Sequence, residues 1–167
     1  MADYSIVEHP FDPIYDQHSK ILILGSIPSV VSRERGFYYM HPRNAFWKIV
    51  STLCGRMSIP ETNDEKVRML KEHHIAIWDV MKSCSIRGSD DSSIVNAVAA
   101  DIPALLDNTQ ITHIYANGKK AAQQYDKQIF KQTGIDICVL PSTSPANAGM
   151  SYEDKLKAWS VILENLN

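Results

Sequence analysis

Four short runs of the chain, residues 21–24, 75–78, 111–115 and 135–140, are apolar at nearly every position. Continuous rather than alternating apolar runs suit strands covered on both faces. Between them the apolar residues recur at helical spacing. Phe46, Trp47, Val50 and Leu53 follow Asn44 in this way, and Thr62 with Glu65 forms a capping-box pattern ahead of Val67 and Leu70. Ile94, Val95 and Val98 predict a further helix, and Asp101 with Pro103 opens another, where proline in the first turn loses no hydrogen bond. Gly118 precedes Ala121, Ala122, Tyr125 and Ile129, and Ser151 with Asp154 starts a last helix through Leu156, Trp159, Ile162, Leu163 and Leu166.

The expected order is therefore β, α, α, β, α, α, β, α, β, α. Such alternation predicts a parallel sheet with right-handed crossovers and helices on both faces, a three-layer α/β/α arrangement. With 167 residues and neither linker nor internal repeat, the chain is expected to form a single domain, 1–167. In open sheets of this kind ligands collect beyond the carboxyl ends of the strands. That directs attention to the segments after Leu24, Trp78, Tyr115 and Leu140.

Composition narrows the classes. Apolar residues make up 44% and charged residues 22%, ordinary values for a folded domain and unlike a disordered, collagen-like or coiled-coil chain. The formal charge of -2 supplies no global attraction to nucleic acid, so a polyanion partner needs a local patch. No apolar run is long enough to span a membrane, and the start of the chain lacks the pattern of a secretory signal. Cys54, Cys84 and Cys138 are far apart and include no C-x-x-C pair, which fits reduced thiols in a cytoplasmic protein. His41, His73, His74 and Asp79 offer no i, i+4 ligand pair, and the G-x-G-x-x-G, Walker and G-x-S-x-G patterns are absent. No metal and no cofactor is expected.

The first loop, Gly25-Ser26-Ile27-Pro28-Ser29, is a small-residue turn that lets a ligand approach the backbone. Next come Phe37, Tyr38 and Tyr39, then His41-Pro42-Arg43-Asn44, then Phe46 and Trp47. Phe46 and Trp47 read as core, which leaves the three preceding rings free to stack on a flat ligand. Between Ser26 and Arg56 stand Arg33, Arg35, Arg43, Lys48 and Arg56 against Glu34 alone, a basic stretch interleaved with aromatics. Lys119, beside Gly118 at a helix start, is a second candidate phosphate contact along with Arg43. The last loop, Pro141 to Gly149, holds Ser142, Ser144, Pro145 and Asn147, a stiff stretch rich in hydrogen-bonding groups at the same sheet end as the first loop.

G-S-I-P-S at Gly25, H-P-R-N-A-F-W at His41 and S-T-S-P-A-N at Ser142 together resemble the uracil-DNA glycosylase superfamily, its hypoxanthine-DNA glycosylase branch above all. The resemblance implies an α/β/α fold and a DNA-repair enzyme that flips a deaminated base and hydrolyses its N-glycosidic bond. It implies Asn44 as the catalytic amide, Tyr39 as the ring that stacks on the base, and Gly25, Ser26, Ile27 and His41 around that base. Ile27 stands where several branches carry a water-holding Asn or Asp, Ser142 where some carry His or Asn, and Ala146 where a bulky wedge is usual, which directs attention to Met150 for extrusion. The motifs contain no lysine or terminal amine to attack the sugar, which favours a monofunctional hydrolase; the expected partner is DNA containing deaminated bases, and the expected state is a monomer. Two other readings stay open: an enzyme acting mainly on uracil, and a catalytically silent module that binds nucleic acid or a nucleotide by stacking. Asp79 and Asn117 both stand at strand ends, where organising a loop and touching a substrate look alike in sequence.

Overall fold

The computed structural model describes residues 3–166; Met1, Ala2 and Asn167, the ends of the expected domain and of the N-terminal stretch searched for a signal, lie outside the described residues. In chain order the elements are β1 (Ser5–Glu8), β2 (Ile21–Gly25), α1 (Val30–Arg35), α2 (Phe46–Leu53), α3 (Asn63–Glu72), β3 (Ile75–Asp79), β4 (Met81–Arg87) and β5 (Asp90–Ala99). There follow α4 (Ile102–Asp107), β6 (His113–Asn117), α5 (Lys119–Gln128), the short α6 (Phe130–Thr133), β7 (Ile137–Leu140) and α7 (Tyr152–Trp159), which tightens into a 3-10 turn over Ser160–Asn165.

The four apolar runs become a parallel sheet in the order β3-β2-β6-β7. All five residues of β2 are buried because both faces are covered. Side chains alternate across a strand, so Ile21 and Ile23 pack with Phe46, Trp47, Met69, Leu70 and Trp159 on one face. Leu22 and Leu24 pack with Leu105, Ala121, Ala122 and Tyr125 on the other. The three-layer α/β/α architecture expected from the apolar runs is thus present. Ile23 is wholly buried at its centre, and truncating such a residue to alanine costs about 2–5 kcal/mol.

The helix starts follow the side chains that announced them. Thr62 accepts the Glu65 N–H at 3.1 Å, Ser151 accepts that of Asp154 at 3.1 Å, and Asp101 accepts that of Ala104 at 3.2 Å.

One expected helix is a strand. Ile94, Val95 and Val98 lie in β5, which pairs antiparallel with β4 around a turn where Gly88 takes φ 58°. The β-branched residues favour this extended state. A bulge conceals the alternation: Asn96 takes φ 55° and the register shifts between the pairs Ser83↔Val98 and Ser85↔Val95. With β1 on the other edge of β4, this hairpin makes a second, three-stranded sheet, beneath which Val7, Ile27, Met81, Cys84, Ile86 and Ile94 form their own cluster. The hairpin carries Ser89 and Asp91 to the carboxyl end of the parallel sheet.

Candidate active site

From β2 the chain moves outward to β3, then crosses by way of β4, β5 and α4 to β6 on the other side of β2. The strand order reverses there, which opens a crevice beyond Gly25 and Asn117. The cleft at that point is lined by the turn 25–29, Tyr38, Tyr39, Asn44, Asp79, Asn117, residues 142–144, and Ser89 and Asp91 from the hairpin.

A hydrogen-bonded chain ties the last loop to the end of β6 and to the segment just before α2. Asn117 Nδ2 donates to Thr143 Oγ1 at 2.9 Å and Asn117 Oδ1 accepts the Thr143 N–H at 3.0 Å. The Thr143 carbonyl then accepts the Ala45 N–H at 3.0 Å. Trp159 anchors the far side by donating its indole N–H to the Pro141 carbonyl at 2.9 Å. Asn117 is therefore a loop organiser, its amide engaged at both ends.

Asn44 is held in a defined sense. Its backbone N–H donates to the His41 carbonyl at 2.9 Å, and its Oδ1 accepts the Phe46 N–H at 2.9 Å at the start of α2. Because a backbone N–H can only donate, this contact fixes which end of the amide is oxygen and leaves Nδ2 unengaged at the cleft wall. His41 takes the Arg43 N–H on Nδ1 at 3.1 Å and shapes this turn without lining the cleft.

Tyr39 takes φ 55°, a strained backbone for a bulky residue, and directs its ring under the first loop. One face lies on Phe46, with centroids 4.0 Å apart and planes at 21°, so a base can stack only on the opposite face. The hydroxyl is buried and makes no hydrogen bond of acceptable geometry, although Asn117 lies near it. Burial first, then the charge of Asp79, pushes the phenol far above its ordinary pKa. The other two rings are not free for a ligand. Phe37 stacks on Trp47 with centroids 5.6 Å apart, and Tyr38 is buried, donating its hydroxyl to the Asp12 carbonyl at 2.9 Å. Phe37 packs away from the cleft, and Tyr38, though part of its wall, lies edge-on to Phe11 with centroids 4.6 Å apart.

Gly25 and Ser26 give their carbonyls to the N–H groups of Val80 at 2.8 Å and Met81 at 3.1 Å. The Ile27 side chain turns away into the cluster under the hairpin. Ser142 Oγ accepts the Ser144 N–H and Ser144 Oγ that of Ala146, both at 3.2 Å, while Asn147 Nδ2 holds the Ser142 carbonyl at 3.0 Å. Ser142 and Ser144 reach the cleft; Pro145 and Asn147 shape the loop behind them. Ala146 and Met150 are both exposed on the same segment.

The basic stretch is thinner than its composition. Arg33 is spent on the carbonyls of Pro28 at 2.6 Å and Gly88 at 3.4 Å, Arg56 pairs with Glu72 at 3.4 Å, and Lys48 lies over the Tyr152 ring at 4.1 Å. Arg43 and Lys119 are exposed, Lys119 as the first residue of α5, and among the described residues no lysine lines the cleft.

Two acids of the cleft carried no motif. Asp79 Oδ2 lies 2.6 Å from His9 Nε2, with both side chains buried, and the absent side chain of Gly25 makes room for Oδ1. Asp91 accepts the Ser26 hydroxyl at 3.3 Å. As a residue it is exposed, but its carboxylate leans on the cleft wall. Lost hydration there chiefly, with the charge of Asp79, raises its pKa against the opposing pull of Ser26 and Lys120. Among the described residues, no group of three or more His, Cys, Asp or Glu side chains lies together as metal ligands would.

This arrangement has known counterparts. Residues 13–164 match the model of the uracil DNA glycosylase superfamily. A protein of Methanosarcina acetivorans named hypoxanthine DNA glycosylase is 31% identical over 161 residues, covering 96% of this chain and all of that one. One of Methanosarcina barkeri with the same name is 30% identical, covering 90% and 94%. A solution NMR structure from M. acetivorans that carries a provisional uracil DNA glycosylase name superposes with a TM-score of 0.82 at 32% identity, over 97% of this chain and 99% of that one. Family match, shared fold and a cleft at the sheet's reversal point agree: the chain belongs to the uracil DNA glycosylase superfamily.

Proposed function

We propose that the chain is a DNA-repair glycosylase that hydrolyses the N-glycosidic bond of a flipped deaminated base, hypoxanthine foremost, and leaves an abasic site. The observation that carries this reading is the convergence of Asn44, Tyr39 and the 25–29 turn on one cleft, in a chain whose named relatives are hypoxanthine DNA glycosylases. One domain, residues 1–167, works as a monomer on DNA in the cytoplasm, with Arg43 and Lys119 as phosphate contacts.

Breaking the bond between the sugar C1′ and the base nitrogen develops positive charge on the sugar and negative charge on the base. Fixed donors aimed at the base, and a water aligned on C1′, lower that barrier without a strong acid or base. The second lone pair of Asn44 Oδ1 orients the water and Nδ2 donates to the substrate, the amide plane being held by the Phe46 N–H. The N–H groups of Ser26 and Ile27 receive the base oxygen, and the free face of Tyr39 stacks on the ring. Among the described residues no lysine lines the cleft, and water rather than an amine takes the sugar.

The test is single-turnover incubation with duplexes carrying deoxyinosine, deoxyuridine or deoxyxanthosine, followed by alkaline cleavage of abasic product. Release from deoxyinosine at the highest rate is expected. Salt-sensitive binding with no abasic product on any duplex would replace the enzyme with a binding module, and release confined to deoxyuridine would move the substrate to uracil.

A further inference from the structure

His9 lies ahead of the region matched by the family model, yet it reaches Asp79 in the cleft wall. Its Nδ1 is 2.7 Å from the Phe11 carbonyl and its Nε2 is 2.6 Å from Asp79 Oδ2. A carbonyl oxygen only accepts, so Nδ1 carries a proton, and the short contact to Oδ2 requires a second proton between the two atoms. That second proton belongs either to an imidazolium facing a carboxylate or to a carboxylic acid facing a neutral imidazole. In both cases it is spent on the His9 side, and Asp79 Oδ1 is left with lone pairs and no hydrogen. The ring is wedged edge-on to Phe11, with centroids 4.9 Å apart, which keeps it from turning.

Oδ1 is the oxygen seated over Gly25, the position where a side chain would collide with it, and the unpartnered Tyr39 hydroxyl lies beside that same position. Asp79 lines the cleft, which thus presents an obligate acceptor, with the Tyr39 hydroxyl buried beside it. Tyr38, Tyr39 and Asp91 interact by charge with Asp79, and none of the three is a cation to compete with His9.

We propose that His9 is a positioning residue that fixes Asp79 as a hydrogen-bond acceptor in the base pocket, so that the pocket takes bases with a lactam N–H and turns away those with an unprotonated nitrogen at that place. Deamination of adenine and cytosine makes that change: adenine N1 and cytosine N3 bear lone pairs, whereas hypoxanthine N1 and uracil N3 bear N–H beside C=O, and xanthine keeps the lactam of its parent guanine. A lone pair set against Oδ1 is repelled, while an N–H is bound. Guanine and thymine share the lactam, so their rejection rests on other walls of the pocket. This inference rests on the glycosylase reading above.

The experiment compares single-turnover release from duplexes carrying deoxyinosine and purine 2′-deoxyribonucleoside, which has a bare N1 and no 6-oxo group, for the wild type and three variants. His9→Phe keeps the packing and removes the donor; release from deoxyinosine is expected to fall about tenfold and the ratio between the two substrates to narrow. His9→Gln places an amide N–H near the same oxygen and is expected to recover to within about threefold of the wild type. Asp79→Asn turns its amide N–H₂ toward the base, because His9 holds the oxygen, and is expected to narrow or reverse the ratio. Thermal melting of each variant shows that it is folded. An unchanged ratio in all three variants, or equal losses for His9→Phe and His9→Gln, would overturn the role of His9 while leaving the glycosylase reading intact. A wild type that releases no deaminated base would overturn both.

Discussion

Asn117 grips Thr143 with both ends of one amide, donating to its hydroxyl at 2.9 Å and accepting its N–H at 3.0 Å. The strand end of β6 thereby sets the height of the last loop, and the Thr143 carbonyl passes that constraint to Ala45, next to Asn44. Asn117→Ala breaks both bonds and strands a buried Thr143, at a cost of about 1–3 kcal/mol. A lowered Tm together with a raised KM for inosine duplexes is the expected result. A variant that melts and binds like the wild type would show that the loop stands without the clamp.

Asn44 combines a structural bond with a free amide. Asn44→Ala removes the aligned water and a donor to the substrate, and release from deoxyinosine duplexes is expected to fall by about 10²–10³ in kcat. Loss of the bond from the Phe46 N–H to Asn44 Oδ1 alone costs only about 1 kcal/mol of stability. Undiminished release, measured by alkali-labile strand cleavage, would remove Asn44 from the mechanism.

The Tyr39 hydroxyl is buried without a partner, a state that costs about 1–3 kcal/mol. Tyr39→Phe is therefore expected to hold or raise the Tm while lowering the rate on deoxyinosine duplexes. Stability and activity moving in opposite directions mark a group retained for the substrate. A stabilised variant with full activity would show that the hydroxyl touches nothing in the reaction.

Asp91 gives a pH dependence of known sign. A carboxyl whose folded pKa is raised above the unfolded value of about 3.9 stabilises the fold while protonated. That contribution is whole below the unfolded value and is lost as pH rises through the raised folded value. Asp91→Asn keeps an acceptor for Ser26 and cannot ionise, so its Tm is expected to exceed that of the wild type at neutral pH and to converge on it in acid. Melting curves across that range would refute the assignment if the gap were constant or reversed.

The four strands of the parallel sheet were legible because burial on both faces demands unbroken apolar runs, and the capped helix starts because their side chains bond to nearby backbone. The hairpin was misread because a bulge at Asn96 shifts its register, leaving Ile94 buried but Val95 and Val98 exposed at spacing that imitates a helix. Tyr39 and Asn44 were singled out by the resemblance, and both line the cleft. Phe37 and Tyr38 were not separable from Tyr39 until their neighbours Trp47 and Asp12 were in place.

The sequence by itself determined the parallel sheet, the end of it where the cleft lies, and the loops at 25–29 and 142–144, since strand burial and turn chemistry are written in adjacent residues. Only the tertiary structure decided what those loops enclose. His9 and Asp79 are 70 positions apart, Asn117 and Thr143 26, and nothing in their local surroundings announces the partner. A hydrogen bond across such a distance exists only once the sheet has brought the two segments together.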